Sequence, residues 1–570
     1  MANFVPLLSY TQEVSSVPMM NTGRFFADTL QGYGITHVFM VPAIFHQAMT
    51  AMEETAIKRV TTHHEMAAAY MADGYARVGR KPGICMGQAV GAGNLAAGLR
   101  DAYQACSPVI AISGGPQPDA RYRYLYQVVE DFPMFGPVTK LNAVVERPDR
   151  LPDLLRQTFR VATTGTPGPV HLELPGRLGE QVQDEGDFEV LVEEQFTRFP
   201  AYRVAPDPGG VEKALALLAA AERPVIVAGG GITASDASAE LVELAEKLSI
   251  PVVTSMNGKE NIADDHPLSV GNVGTYGRRA ANQIVEEADL VFFAGSRAGG
   301  LTTNNWKLPR PGTPTIQLDI NGEELGRNYP AKVGLLGDAK RTLRGMLDAS
   351  PRAVSRSAWV QHAQEALRKW REETSPELHS DAVPIRPERI CKEISEFLPE
   401  MAVLVSDTGH AAIWTGTMVG LTKPGQRYIR CAGTLGWALP GAIGGKCAAP
   451  DRPVLCFTGD GGLCYHLAEL ETAARAGINV VILVNNNGAL QQVKKGIDRS
   501  YGGKQWGRAK EMWVFRPGTN YARVAEELGC LGIRVEKPGE IRGALERAFA
   551  AGRPSLIDVA TDIEAAPAWG

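Results

Sequence analysis

Residues 458–487 carry Thr-Gly-Asp-Gly-Gly, a stretch of spaced leucines, a short apolar run and then three asparagines. An aspartate in a glycine turn ahead of a helix, with an asparagine at the end of the next strand, can bind Mg²⁺ and a diphosphate together. Mg²⁺ wants hard oxygen ligands in octahedral geometry and takes one or two from protein, the rest from phosphate and water. A helix N-terminus adds unsatisfied N–H groups and the positive end of a dipole for phosphate oxygens. Asp460, set among Gly459, Gly461 and Gly462, and an asparagine from 485–487 are the candidate ligands.

These groups meet only if the intervening helix folds back on a sheet. Leu463, Leu467, Leu470 and Ala474 fall on one face of a predicted helix, Gly477 can stop it, and 480–484 reads as a buried strand. Similar alternation runs along the chain in three segments. The first, 20–186, opens with a helix at 22–33 and has predicted strands at 37–39, 83–86, 109–112 and 170–173. The second, 209–347, has a helix at 211–221 and strands at 224–228, 251–254, 290–294 and 315–319. The third, 385–561, holds the aspartate and the asparagines. Charged, proline-bearing stretches at 186–208 and 348–384 read as linkers, the second with a polar helix. Strand–helix alternation predicts an α/β protein of three doubly wound parallel-sheet domains. No internal repeat is strong enough to claim a duplication of the first segment in the third.

The 570 residues suggest about three to four domains. With 44% hydrophobic and 21% charged residues the chain has an ordinary globular composition. A net charge of −5 gives no field for nucleic acid. The eight cysteines form no C-x-x-C pair and read as small core residues in a reducing compartment. No apolar run reaches the length of a membrane span and no signal peptide is evident. The expected location is the cytoplasm, without membrane or nucleic-acid partners.

The GDG–asparagine pattern resembles the signature of thiamine-diphosphate enzymes. That family's spacing, counted from Asp460, lands 27 residues on at Asn487. The resemblance implies Asp460, Asn487 and the Ala489 carbonyl as Mg²⁺ ligands, with Gly459, Gly461 and Gly462 in the turn around the diphosphate. Two other stretches carry the same likeness. HEMAAAYMADGYAR at 64–77 puts Glu65 at the start of a helix, where the family's glutamate contacts N1′ of the aminopyrimidine and sets its tautomer. A carboxyl in an apolar crevice has a raised pKa and can share a proton with a ring nitrogen. CAGTLGWALP at 431–440 places Gly433 to accept from the exocyclic amine and Leu435 to wedge between the two rings. Gly409 and His410 stand where relatives contact the diphosphate.

The likeness covers about residues 20–560 and is nearest the acetolactate synthase-like group. There Gln127 implies a contact near the thiazolium, and Lys140 one near the substrate channel and flavin. Gln88 replaces the family's serine in the small-residue turn and is a candidate polar group at the reacting centre. The loop after the asparagines lacks the tryptophan-bearing pattern of acetolactate synthases and carries Gln491, Gln492, Lys494 and Lys495; these lysines suit an anionic substrate or a solvated loop.

The resemblance implies a Mg²⁺/thiamine-diphosphate carboligase that decarboxylates a pyruvate-like 2-oxo acid and passes the acyl carbanion to a carbonyl acceptor. Alternatives are a 2-hydroxyacyl-CoA lyase or oxalyl-CoA decarboxylase-like enzyme, a diketone hydrolase, and a catalytically silent cofactor-binding subunit. In the second segment Gly229, Gly231, Arg297 and Asp319 suit FAD or ADP, and an empty fold stays open. A homodimer or homotetramer is expected, with active sites between subunits.

Overall fold

A computed structural model describes residues 19–350 and 353–566. It contains three six-stranded sheets, each parallel throughout. The first runs in space Lys58–Thr61, His37–Met40, Gly83–Gly87, Val109–Gly115, Val170–Pro175, Asn142–Val144. The central sheet runs Ser269–Asn272, Val252–Thr254, Pro224–Ala228, Leu290–Ala294, Thr315–Asp319, Ala331–Leu336. The third runs Arg427–Arg430, Val403–Ser406, Val454–Gly459, Val481–Asn486, Ser555–Ala560, Leu531–Val535. Counted by sequence within each sheet, the outer two share the order 2-1-3-4-6-5, while the central one is 3-2-1-4-5-6. The shared order relates the outer domains where the residues themselves show no repeat. The antiparallel pair Met19–Asn21 and Glu185–Asp187 closes the first domain.

The expected three-sheet α/β class is observed. In the first and central sheets the strands without a sequence signal are the edge strands: Lys58–Thr61 and Ala331–Leu336 carry exposed positions and Asn142–Val144 is half-buried throughout, so none of these three has the continuous apolar run of a strand covered on both faces. The predicted helix over 463–474 is two short helices, Asp460–Tyr465 and Glu469–Arg475. Leu463 and Leu470 are buried as their periodicity required, but the backbone breaks between the helices at His466. The polar helix of the second predicted linker, Ser357–Leu378, is docked rather than loose. It buries Trp359 and Trp370, and the Trp359 indole donates to the Pro224 carbonyl at 2.9 Å.

The first and third domains pack through helices Glu65–Gly79 and Ala438–Ala448. Trp437 Nε1 donates to the buried Asp73 at 2.9 Å, and the Arg77 guanidinium lies over the Trp437 ring. Asp101 of helix Ala92–Ala105 accepts from the Ala432 and Thr434 amides at 2.8 and 3.2 Å. The loop bearing Gly433 and Leu435 is thereby tied to the first domain of its own chain. Among the described residues no helix is long and apolar enough to cross a membrane. All eight cysteines are free, and six are buried.

Candidate functional site

Parallel sheets bind ligands outside the carboxyl ends of their strands, at the point where strand order reverses. In the third sheet that point lies between Val403–Ser406 and Val454–Gly459. The chain leaves the first strand as Asp407, Thr408, Gly409 and His410, and the second as Asp460. Gly409, His410, Leu435, Gly459, Asp460, Gly461, Gly462, Asn487 and Ala489 line one cavity there, of about 160 Å³. Gly433 does not line it.

Asp460 is buried and accepts from the Gly461 amide at 2.9 Å and the Ala489 amide at 3.0 Å. Burial pushes its carboxyl up to about 6. Strand Val481–Asn486 alternates its faces and the chain keeps that alternation one residue past its end, so Asn485 and Asn487 both reach the cavity while Asn486 turns away to the Thr519 carbonyl and Asp558. The buried Oδ1 atoms of Asn485 and Asn487 have no hydrogen-bond partner among the described residues. Orphaned buried carbonyl oxygens are costly, and a cation satisfies them. No cluster of three or more His, Cys, Asp or Glu among the described residues suits a metal. One carboxylate with carboxamide oxygens therefore fits a Mg²⁺ that completes its shell from phosphate and water. Asn485 was not singled out by spacing, although strand alternation alone pairs it with Asn487.

Gly409 has φ 67° and ψ −145°, a conformation essentially restricted to glycine, and turns the chain into helix His410–Met418. His410 is buried, which lowers its pKa to about 4, and Nδ1 lies 3.0 Å from Gln491 Oε1. A carboxamide oxygen only accepts, so Nδ1 carries the proton and the neutral ring presents Nε2 as an acceptor. His410 thus adds no positive charge to a phosphate site.

Asp407, which sequence reasoning passed over, organises the same place. Its buried carboxyl accepts from the Thr408 amide at 2.8 Å, the Gly436 amide at 3.0 Å and the Thr458 hydroxyl at 3.1 Å. One side chain so joins both strand ends to the loop carrying Leu435. Burial pushes it up to about 6. Its signal was an aspartate directly after an apolar strand, ahead of Thr408 and Gly409.

In the first domain, Glu65 opens helix Glu65–Gly79 and is 8% exposed. Its Oε2 accepts from Asn94 Nδ2 at 3.0 Å. A Cβ on Gly91 would stand 2.2 Å from Glu65 Oε1, so only glycine leaves that carboxyl in place. Gly91→Ala is therefore expected to displace the Glu65 carboxyl and lower activity about tenfold or more while leaving thermal stability near wild type, as a melting curve run beside the assay would show. Gln88, half-buried, follows strand Gly83–Gly87 at the same sheet's switch point. Gln127 accepts from Arg177 Nη1 at 3.1 Å, in a loop whose Tyr122 and Tyr124 are exposed. None of Glu65, Gln88 and Gln127 lines the cavity at Asp460. The single chain assembles the third-domain set and holds the first-domain set elsewhere.

Beneath the loop of Gln127, Glu173 is 2% exposed, and its Oε1 has no partner among the described residues. Burial pushes its carboxyl up to about 7. A raised carboxyl favours the protonated fold, so its contribution is complete below about pH 4.5 and is lost as pH rises through about 7. The loss amounts to about 3 kcal/mol. Glu173→Gln is expected to lose less stability than wild type between about pH 5 and about pH 8, measured by denaturant unfolding.

Two lysines of interest are already committed. Lys140 Nζ donates to the Val161, Thr164 and Thr166 carbonyls at 2.6–2.8 Å, capping the end of helix Leu151–Thr163. Lys494 is paired with Asp498 and Glu564, both at 2.9 Å. In the central domain a cavity of about 280 Å³ opens at the switch point between Pro224–Ala228 and Leu290–Ala294. Gly229, Gly231 and Arg297 line it together with Arg77 and Arg80 of the first domain and Arg427 of the third. A neighbouring cavity of about 110 Å³ reaches Asp319.

Comparison with known proteins matches the chain to three family models of thiamine pyrophosphate enzymes. These are the N-terminal TPP binding domain at residues 20–133, the central domain at 211–346 and the C-terminal TPP binding domain at 407–559. A probable acetolactate synthase large subunit of Methanocaldococcus jannaschii is 34% identical, over 90% of this chain and 87% of the relative. The acetolactate synthase of Arthrospira platensis is 31% identical over 94% of both chains. The glyoxylate carboligase of Escherichia coli O157:H7 is 31% identical, over 91% and 89%.

Proposed function

The chain belongs to the thiamine pyrophosphate enzymes, as a carboligase of their acetolactate synthase-like group, and from that premise we propose that it decarboxylates a small 2-oxo acid and joins the remaining acyl unit to a carbonyl acceptor. The observation that carries the proposal is the cavity at the third sheet's switch point, where Asp460 and the unpartnered oxygens of Asn485 and Asn487 line one wall. When bound, thiamine diphosphate supplies the nucleophilic carbon and the electron sink for decarboxylation. The chain's own residues hold and orient it. Asp460, Asn487 and the Ala489 carbonyl would ligate Mg²⁺ beside the diphosphate, and Leu435 would pack between the rings. Gly433 would accept from the exocyclic amine, from the loop tied down by Asp101 and Asp407. Glu65 would exchange a proton with the ring nitrogen N1′. Gln88 and Gln127 are the candidate polar contacts at the reacting carbon.

Glu65 lies outside the lining of the cavity in its own chain, which supports a site completed by a second copy in a homodimer or homotetramer. The arginine-lined central cavity suits the phosphates of an adenine nucleotide, ADP or FAD. Flavin absorbance of the purified protein separates the two.

Pyruvate is the favoured donor, given the acetolactate synthases among the relatives; the likeness to a glyoxylate carboligase supports glyoxylate as a second reading. The test is to supply each acid with Mg²⁺ and thiamine diphosphate and identify the products. Acetolactate from pyruvate, with one CO₂ released per C–C bond formed, is the expected result. Ligation of glyoxylate alone selects the second reading, and CO₂ release without ligation refutes both.

A further inference from the structure

Gln491 opens helix Gln491–Ser500 and its side chain is almost fully buried, 4% exposed. Its carboxamide uses its full hydrogen-bonding capacity. Nε2 donates to the backbone carbonyls of Ile563 and Ala565, both at 2.7 Å. Oε1 accepts from His410 Nδ1 at 3.0 Å and Asn487 Nδ2 at 3.2 Å. A carboxamide has two N–H donors and two acceptor lone pairs.

The order of these bonds fixes an orientation. The Ile563 and Ala565 carbonyls can only accept, so the Gln491 amino group must face them and its oxygen must face Asn487. Asn487 must then present its amino group to Gln491. Its Oδ1, buried and without a hydrogen-bond partner among the described residues, is left for the cavity shared with Asp460. With the amide of Asn487 turned over, two oxygens would oppose each other and an amino group would face the cation. We propose that Gln491 is a positioning residue for the metal site, which fixes the carboxamide of Asn487 with its oxygen toward Mg²⁺, and that the segment 563–565 is the anchor that fixes Gln491. The inference rests on the reading of Asp460 and Asn487 as Mg²⁺ ligands.

Partners that orient a metal's ligands without touching the metal are worth about 10–100-fold in affinity. The effect falls on the Mg²⁺ requirement and not on the chemical step. Gln491→Leu keeps the bulk and removes all four hydrogen bonds; a chain ending at Asp562 keeps Gln491 and removes its anchors. For each variant and for wild type, thiamine diphosphate binding is followed by tryptophan fluorescence across a Mg²⁺ titration, together with kcat at saturating Mg²⁺. Both variants are expected to need about 10–100-fold more Mg²⁺ for half-maximal binding, with kcat recovering to within about threefold of wild type once Mg²⁺ saturates.

A Mg²⁺ requirement within about twofold of wild type for Gln491→Leu overturns the proposal, as does a loss of activity that Mg²⁺ does not repair. If Gln491→Leu does not fold, the shortened chain decides by the same criteria. Asp460→Asn, measured alongside, separates this inference from the reading beneath it. If only Asp460→Asn loses Mg²⁺-dependent binding, the metal site stands and the role of Gln491 falls. If neither substitution moves the Mg²⁺ requirement, the metal site itself is misassigned and both fall.

Discussion

Glu65→Gln is expected to slow turnover by about 10²–10⁴-fold, the usual worth of a positioned acid–base group, while cofactor affinity changes little. The two side chains have nearly the same shape, and the glutamine keeps an oxygen to accept the 3.0 Å hydrogen bond from Asn94. Helix Glu65–Gly79 packs against Ala438–Ala448 through residues further along, so the fold does not depend on the charge. What the substitution removes is a group that can hold and release a proton beside a ring nitrogen. The direct readout is exchange of the cofactor's C2 proton in deuterated water, followed by NMR with the protein saturated in Mg²⁺ and thiamine diphosphate. Exchange at the wild-type rate would take Glu65 out of the chemistry. Lost binding, instead of slowed exchange, would make it a structural residue.

Mixing two inactive proteins is expected to restore activity. Glu65 lies outside the cavity of Asp460 in its own chain, so a site that uses both must draw them from different copies. In a symmetric dimer each subunit then serves two sites, giving its first domain to one and its third to the other. A heterodimer of Glu65→Gln with Asp460→Asn contains one site carrying both substitutions and one carrying neither. Random reassociation of equal amounts makes half the dimers mixed, so recovery should approach about a quarter of wild-type activity. The measurement is an assay after the two proteins are unfolded and refolded together, with each refolded alone as baseline. No recovery, with mixed dimers shown to form, would place Glu65 and Asp460 of one site on a single chain.

Local pattern determined a large part of this protein. Apolar runs bounded by glycine turns marked the central strands of the first two sheets and strand Val481–Asn486 of the third, because a strand covered on both faces must be apolar along its length. The glycine-flanked Asp460 and the asparagines at 485–487 carried the resemblance to thiamine-diphosphate enzymes that the family models bear out. Helix Glu65–Gly79 was likewise legible from its own residues. These features depend on neighbours in sequence, which a sequence displays.

The remainder depended on neighbours in space. Strand pairing turned Asn485 and Asn487 into one cavity and Asn486 out of it, a choice of face that the identical residue types hide. Lys140 and Lys494 had the charge to attract a substrate, yet three carbonyls and two carboxylates from distant positions claim them. His410 is kept neutral by burial. Asp407 gained its role because two strand ends and the Leu435 loop converge on it. Gln491 gained its role because the segment 563–565 returns to it from more than seventy residues away. A lysine, histidine, aspartate or glutamine carries the same chemistry wherever it stands. Which groups meet it, and whether water is excluded, is decided only when the three sheets are packed together.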